Sequence, residues 1–224
     1  MTLPPAPVPI VVLRPEPGAT ATATTALAVG LHVQKTPLFA ITPLPWVTPQ
    51  HSSYDRLLLT SANAVRHAGP QLQALQATPC WVVGGATARA AQAAGLNVER
   101  TGSGGVGALL AAVSGPCRLL WLVGEQHRPV PDVIGISVTA VPVYRSAPTA
   151  INPQEIGTAA IFLVHSKRAA TRLCDLVPDR ASSHIVAISA AVADAAGAGW
   201  LSVCHVPTPD DGAMLAQAAA LAAK

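Results

Sequence analysis

Charged residues make up only 11% of this 224-residue chain, and aromatic residues only 4%. The net charge of +3 comes without a lysine and arginine cluster that could follow a nucleic-acid backbone. The few aromatic side chains also leave little for base stacking. Both shortages argue against a nucleic-acid partner, whereas a mild positive excess suits a small polyanionic ligand.

Long apolar runs, a leader pattern and paired cysteines are missing as well. No run of about eighteen uncharged apolar residues occurs, and residues 1–9 are rich in proline instead of following the order of a signal peptide. The four cysteines are scattered, without Cys-x-x-Cys, and no histidine pair has ligand spacing. We therefore expect a cytoplasmic protein with buried free thiols, no membrane contact and no metal.

Catalytic signatures are equally sparse. The seven histidines lie singly, and neither Gly-x-Ser-x-Gly nor a paired acidic motif is found near them. The segment Gly102–Gly107 does satisfy Gly-x-Gly-x-x-Gly, with Glu125 beyond it, as in dinucleotide-binding loops. Its preceding strand, residues 97–100, is short and polar, whereas that fingerprint needs a buried apolar strand. A glycine-rich surface loop is the favoured interpretation, and a dinucleotide-dependent oxidoreductase is the lesser alternative.

What the chain does have is 50% hydrophobic residues and an internal repeat. Residues 57–64, an apolar strand that runs into a polar turn and a helix, are matched by residues 162–169, 105 positions later, with Ser61 falling on Ser166. At the same offset, 82–88 matches 187–193 and 37–39 matches 142–144. Similarity at one fixed offset indicates a duplication.

Apolar segments alternate with helical ones along the whole chain. We predict strands near 8–13, 32–38, 56–60, 80–84, 96–100, 119–123, 136–142, 159–164, 184–188 and 201–205. Such alternation predicts parallel sheets with helices on both faces.

Two proline-rich stretches, about 41–49 and 145–153, interrupt this alternation and are interpreted as linkers, because proline is disfavoured in helices and central strands. The predicted fold is α/β, with two similar doubly wound parallel-sheet domains joined by two linkers and one domain inserted in the other. The discontinuous domain takes 1–40 plus 151–224, and the inserted domain takes 44–144.

Ligands of open α/β sheets bind at the carboxyl ends of strands. Small hydroxyl and basic residues follow several predicted strands at that position: Arg14, Thr60, Ser61, Thr87, Tyr144 and Arg145. Ser61 and Thr87 fit equally well as helix caps. These residues are the candidate binding set.

Several of the same segments resemble one known family. Arg14-Pro15-Glu16-Pro17-Gly18, Tyr54-Asp55 followed by Thr60-Ser61-Ala62-Asn63-Ala64-Val65, Val83-Gly84-Gly85-Ala86-Thr87-Ala88 and Val143-Tyr144-Arg145 are similar, in this order, to short motifs of the uroporphyrinogen-III synthases. Two positions depart from the family pattern. His165 stands where threonine is commoner, and Val192 lacks a hydroxyl that relatives usually carry.

The resemblance implies a cofactor-free, monomeric enzyme that closes the linear tetrapyrrole hydroxymethylbilane into a ring, in a cleft between domains with hinges in the linkers. A transient contact with hydroxymethylbilane synthase stays open. It further implies that Tyr144 is catalytic and that substrate is bound by Arg14, Thr60, Ser61, Asn63, Thr87, Arg145 and Ser166. The alternative is a two-domain ligand-binding or regulatory module without catalysis.

Overall fold

The computed structural model describes residues 8–113, 115–157 and 159–223. Residues 1–7, Ser114, Thr158 and Lys224, which belong to the predicted domain ranges, lie outside the described residues. The chain divides into two compact units. A discontinuous unit holds the chain up to Ala40 and from Pro148 onward, and an inserted unit holds Ile41–Ala147.

Strands and helices alternate along most of the described chain. The strands are β1 (Ile10–Val12), β2 (Val33–Lys35), β3 (Phe39–Pro43), β4 (Arg56–Leu59), β5 (Pro79–Val83), β6 (Asn97–Gly102), β7 (Cys117–Gly124), β8 (Ile136–Pro148), β9 (Ile161–Val164), β10 (His184–Ala187) and β11 (Ser202–His205). The α-helices are α1 (Gly18–Ala28), α2 (Ala62–His67), α3 (Gly85–Ala93), α4 (Gly105–Ala111), α5 (Pro153–Ile156), α6 (Lys167–Leu176), α7 (Ala190–Ala196) and α8 (Asp211–Ala222). Within the described ranges, no helix is long and apolar enough to cross a membrane.

The discontinuous unit is built on a parallel sheet of five strands, in the order β11-β10-β9-β1-β2. All four residues of β9 are buried. Phe162 and Val164 pack with α6 and α7, whereas Ile161 and Leu163 pack with α1 and α8. Since successive side chains of a strand point to opposite faces, a fully apolar strand indicates helices on both sides of the sheet.

The inserted unit repeats this arrangement with one extra strand. Its sheet has the order β3-β8-β7-β4-β5-β6, and the five strands from β8 to β6 are parallel. Shifting β4, β5 and β6 by 105 residues gives β9, β10 and β11, which are neighbours in the same order. Strands β7 and β8 then take the places of β1 and β2. The prediction of two similar doubly wound domains, one inserted in the other, is confirmed.

The predicted linkers are the part of the fold in which the structure differs from the prediction. The first stretch begins inside β3, and the second begins inside β8, so residues 41–43 and 145–148 are strand. The amide of Thr149 donates to the carbonyl oxygen of Leu38, and that of Leu44 donates to the carbonyl oxygen of Val143. The earlier residue of one segment thus pairs with the later residue of the other, so β3 runs antiparallel to β8. Proline is tolerated here because β3 is an edge strand.

Candidate functional site

Each central strand is followed by a serine that caps the next helix. In the inserted unit, Ser61 Oγ accepts a hydrogen bond from the Asn63 amide at 3.2 Å and caps α2. In the discontinuous unit, Ser166 Oγ accepts from the Ala169 amide at 3.1 Å and caps α6. Serine in extended backbone satisfies an amide that the first helical turn leaves unpaired. The cap interpretation is therefore correct for Ser61, and the repeat extends to the capping role of the serine, although Ser61 bonds the amide two residues on and Ser166 the amide three residues on.

Tyr144 lies on β8 beside the end of β7. Its hydroxyl donates to Ser61 Oγ at 3.2 Å. Its ring covers Gly124, where a Cβ atom would lie 2.8 Å from Tyr144 Cζ. The register between β7 and β8 shifts at Val123/Gly124, which sets Gly124 opposite Tyr144. Glycine at this position lets the phenol lie flat against the strand end and reach the cap of α2.

A cavity of about 440 Å³ opens at the carboxyl ends of β4, β7 and β8. Thr60, Ser61 and Tyr144 line it, together with side chains of β7 and of the loop that follows β7. Three of the predicted site residues thus share one cavity. This is the edge at which doubly wound sheets bind their ligands.

Two aromatic side chains, Trp121 of β7 and His127 of the loop after β7, form another part of the cavity wall. Trp121 Nε1 donates to Thr60 Oγ1 at 3.2 Å, and its ring meets the His127 ring edge-on at 5.2 Å between centroids. His127 Nδ1 lies 3.0 Å from the carbonyl oxygen of Gly124. No carboxylate is among the described residues that line the cavity, and Arg128 lines it with a positive charge. The cavity can therefore accept an anionic, partly apolar ligand and donate hydrogen bonds to it.

Three further candidates in the inserted unit lie outside this lining. Asn63 Oδ1 accepts from Arg66 NH1 at 3.3 Å, and Arg145 Nε donates to Thr42 Oγ1 at 3.4 Å. Arg145 follows Tyr144 on a strand, so its side chain leaves the opposite face. Thr87 is 5% exposed and sits inside α3, whose cap position is Gly84, so the cap interpretation is wrong for Thr87.

Arg14, in the discontinuous unit, is held by a partly buried cluster. Its NH1 lies 3.0 Å and 2.8 Å from the two carboxylate oxygens of Asp211. Asp211 also accepts from Thr22 Oγ1 at 2.7 Å and lies 3.0 Å from His165 Nε2. The hydrogen bond from His165, then that from Thr22 and the charge of Arg14, outweigh burial and lower the pKa of Asp211 to about 2. Arg14 is therefore paired with an internal carboxylate through NH1.

The spacing of the Arg14-Pro15-Glu16-Pro17-Gly18 motif has a physical reason in this cluster. A Cβ atom at Gly18 would lie 2.4 Å from Arg14 Nε, so the arginine crosses the start of α1 only because residue 18 is glycine.

Sequence reasoning missed Trp121, His127 and Asp211. Trp121 lies inside an apolar strand, where a tryptophan is expected in the core, and Asp211 follows Asp210 at a helix start, where a carboxylate is expected to cap. The signal that was available for the cluster is positional: His165 stands 105 residues after Thr60, so it follows a central strand in the second repeat. Val192, the counterpart of Thr87, is also 5% exposed, so both lie under their helices.

Among the described residues that line this cavity, Val106 alone comes from the glycine-rich segment. β6, which precedes it, is the edge strand of the inserted unit, and the fingerprint needs a central one. The favoured interpretation as a surface loop agrees with this position. Among the described residues, no group of three His, Cys, Asp or Glu side chains could hold a metal ion. All four cysteines are free, with Cys80 and Cys117 buried and Cys174 and Cys204 half-buried.

Comparison with solved structures shows which proteins have a similar fold. The structure is similar to that of uroporphyrinogen-III synthetase from Helicobacter pylori, with a TM-score of 0.67 and 16% identity over 95% of this chain and 99% of that chain. It is also similar to a mutant uroporphyrinogen III synthase from Thermus thermophilus, with a TM-score of 0.53 and 20% identity over 96% of this chain and 98% of that chain. At these identities the likeness shows a shared fold.

No curated protein matches the sequence significantly. A family model described as uroporphyrinogen-III synthase HemD matches residues 20–216, which leaves the Arg14 motif outside the match. Because this match spans well over half of the chain, the chain belongs to the uroporphyrinogen-III synthase family.

Proposed function

We propose that this enzyme of tetrapyrrole biosynthesis is a lyase that closes hydroxymethylbilane to uroporphyrinogen III, with loss of water and inversion of ring D. Family membership supports the reaction. The structural observation that supports it best is the cavity of about 440 Å³, which joins Tyr144, Ser61 and Thr60 and has no carboxylate in its described lining. Such a lining suits a substrate that carries carboxylate arms on every ring.

The substrate supplies much of the driving force itself. Loss of its terminal hydroxyl gives an electrophilic azafulvene, which is attacked to form a spiro intermediate before the ring closes. Tyr144 is the donor that helps the hydroxyl leave, since a phenol can give a hydrogen bond or a proton to the departing oxygen. Ser61 accepts from both Tyr144 and the Asn63 amide, so its own proton is free to point into the cavity.

Positioning carries the rest of the catalysis, because the enzyme must fold the chain and exclude closure without inversion. Thr60 and Ser61 contact substrate from the cavity wall. Arg14 binds a carboxylate arm with the donors that Asp211 leaves free. A role for Thr87 needs its hydroxyl to be uncovered.

The remaining residues proposed to bind substrate are Asn63, Arg145 and Ser166. Backbone amides at strand ends and helix starts add donors for the carboxylates. We further propose that the enzyme works as a cytoplasmic monomer without a cofactor, and that its contact with hydroxymethylbilane synthase is at most transient.

Incubating the protein with hydroxymethylbilane and oxidising the products tests the proposed reaction. Type III uroporphyrin, formed in large excess over the enzyme, is the expected result, because uncatalysed closure gives the type I isomer. Type I alone, with substrate retained by the protein in equilibrium dialysis, would point to a binding module. Calorimetric titration with NAD(P) in parallel covers the oxidoreductase alternative, for which we expect no heat of binding.

A further inference from the structure

The proposed reaction needs one proton to be given and one to be taken. Loss of water removes a hydroxyl from the terminal carbon and a hydrogen from the ring carbon that closes the macrocycle. A site that serves both steps needs a donor for the oxygen and an acceptor for the proton on carbon. Tyr144 fills only the first role.

His127 contacts the same strand end. Tyr144 covers the backbone of Gly124, and His127 is anchored to the carbonyl oxygen of the same residue, with Nδ1 at 3.0 Å from it. Both side chains line the cavity of about 440 Å³. Two titratable side chains therefore contact Gly124 within a single cavity.

The anchor determines which nitrogen of His127 holds the proton. A carbonyl oxygen only accepts hydrogen bonds, so Nδ1 must be the N–H donor. In the neutral ring, Nε2 is then left with its lone pair. The edge-on contact with Trp121, at 5.2 Å between centroids, further limits the orientation of the ring. The neutral side chain is thus prepared as a proton acceptor.

We infer that His127 is the general base of this site, which takes the proton released when the macrocycle closes; this inference rests on the proposed function. In the first step the bond between carbon and hydroxyl oxygen breaks, the oxygen keeps the electron pair, and a proton from Tyr144 completes a water molecule. In the last step the new carbon–carbon bond is followed by cleavage of the C–H bond. The electron pair of that bond restores the pyrrole, and the proton goes to His127 Nε2.

No oxidant, reductant or further reactant is needed, because the proton that Tyr144 loses and the proton that His127 gains exchange with solvent after each turnover. His127 is exposed, so this exchange is open to it. Among the described residues that line the cavity with His127, those that carry charge or titrate are Arg128 from the same loop and Tyr144 from β8; Glu125 does not line it.

The variant His127→Asn tests the inference. The amide of asparagine takes the place of Nδ1 and keeps the donor to Gly124, but it removes Nε2. We expect kcat to fall by roughly 10- to 100-fold with KM little changed, and the acidic limb of the pH profile of kcat to disappear. His32→Asn is the matched control, because His32 is exposed in the other unit, and its profile should be that of the wild type.

A second variant keeps the test decisive if asparagine disturbs the loop. His127→Ala opens space for free imidazole, and added imidazole should restore part of the lost kcat. A wild-type enzyme that makes type III product, with His127→Asn within twofold of its kcat and still showing the acidic limb, would overturn the base assignment alone. A wild-type enzyme that makes only type I product would overturn the proposed function and this inference with it.

Discussion

Gly124→Ala should lower the turnover number of the enzyme without unfolding the protein. The added Cβ atom would lie 2.8 Å from Tyr144 Cζ and 3.0 Å from its hydroxyl oxygen. Carbon atoms pack favourably at about 3.5 to 4.0 Å, so the hydroxyl end of the ring must move by about 0.7 Å or more. The hydrogen bond to Ser61, at 3.2 Å, has little room for such a shift.

Misplacing a reacting group by about 1 Å can cost on the order of 100-fold in rate. We therefore expect kcat of Gly124→Ala to fall by roughly 10- to 100-fold. The free energy of unfolding should change less than the activation free energy. One hydrogen bond is worth only about 0.5 to 1.5 kcal/mol, and the alanine reduces the entropy of the unfolded chain. Steady-state kinetics and thermal unfolding measure the two effects on the same sample.

Gly107→Ala is the matched control in the same unit. Its Cβ atom would meet Pro131 at 3.4 Å, an ordinary contact, and alanine is favoured inside a helix such as α4. This variant should keep wild-type kcat. If Gly124→Ala is as active as Gly107→Ala, the placement of Tyr144 over Gly124 has no part in catalysis and the reasoning fails.

Contacts within each unit lead to three more predictions. Tyr144→Phe should lower kcat by roughly 10- to 100-fold. When it is combined with Ser61→Ala, the increase in activation free energy should be smaller than the sum of the two single increases, because both substitutions remove the same hydrogen bond. Asp211→Asn should cost about 2 kcal/mol of unfolding free energy at neutral pH, since its folded pKa of about 2 lies below the usual aspartate pKa of about 3.9. That stabilisation is complete above about pH 4 and lost as the pH falls through about 2, so urea unfolding of both proteins across this range should converge at the acidic end. Gly18→Ala, whose Cβ atom would lie 2.4 Å from Arg14 Nε, should lose clearly less than Asp211→Asn, because it displaces only Arg14 while Thr22 and His165 still contact Asp211.

Asp175→Asn serves as the control for Asp211→Asn, because Asp175 is an exposed residue of a helix in the same unit. Its unfolding free energy should stay within about 0.5 kcal/mol of the wild type, as for most surface substitutions. An Asp211→Asn protein as stable as this control would mean that the Arg14 cluster contributes nothing to folding.

The sheets could be predicted from the sequence because their strands are buried on both faces. Segments such as Leu57–Leu59 and Phe162–Val164 are continuous apolar runs followed by a capping serine, and a duplicated chain shows each of them twice. All ten predicted strands have a counterpart in the structure. The order of the strands was not predicted, since the repeat requires only that matched strands have the same order in both sheets.

β3 was not predicted, and the end of β8 was assigned to a linker. Proline is a poor guide at an edge strand, where a missing amide costs nothing, and Pro43 and Pro148 stand at the ends of their strands. Pro142 lies within β8 next to the register shift, where the hydrogen-bond ladder is already interrupted.

The site could be predicted only as far as strand ends reveal it. Tyr144, Ser61 and Thr60 were found because they follow strands and are hydroxyl-bearing. The contacts of Arg14 could not be predicted, because Asp211 is 197 residues away and a carboxylate at a helix start has an ordinary explanation. His127 follows β7 by a few residues, but what distinguishes it from the other single histidines is visible only in the structure: its place in the cavity lining and its contacts with Trp121 and the Gly124 carbonyl.

The most direct test of the account is the isomer ratio of the uroporphyrins formed from hydroxymethylbilane by wild-type protein and by Tyr144→Phe, at substrate concentrations far above that of the enzyme. We predict type III as the main product of the wild type over many turnovers, and a roughly 10- to 100-fold slower formation of type III by the variant. Type I as the only product of the wild type would contradict the account, and equal rates of type III formation would remove Tyr144 from the mechanism.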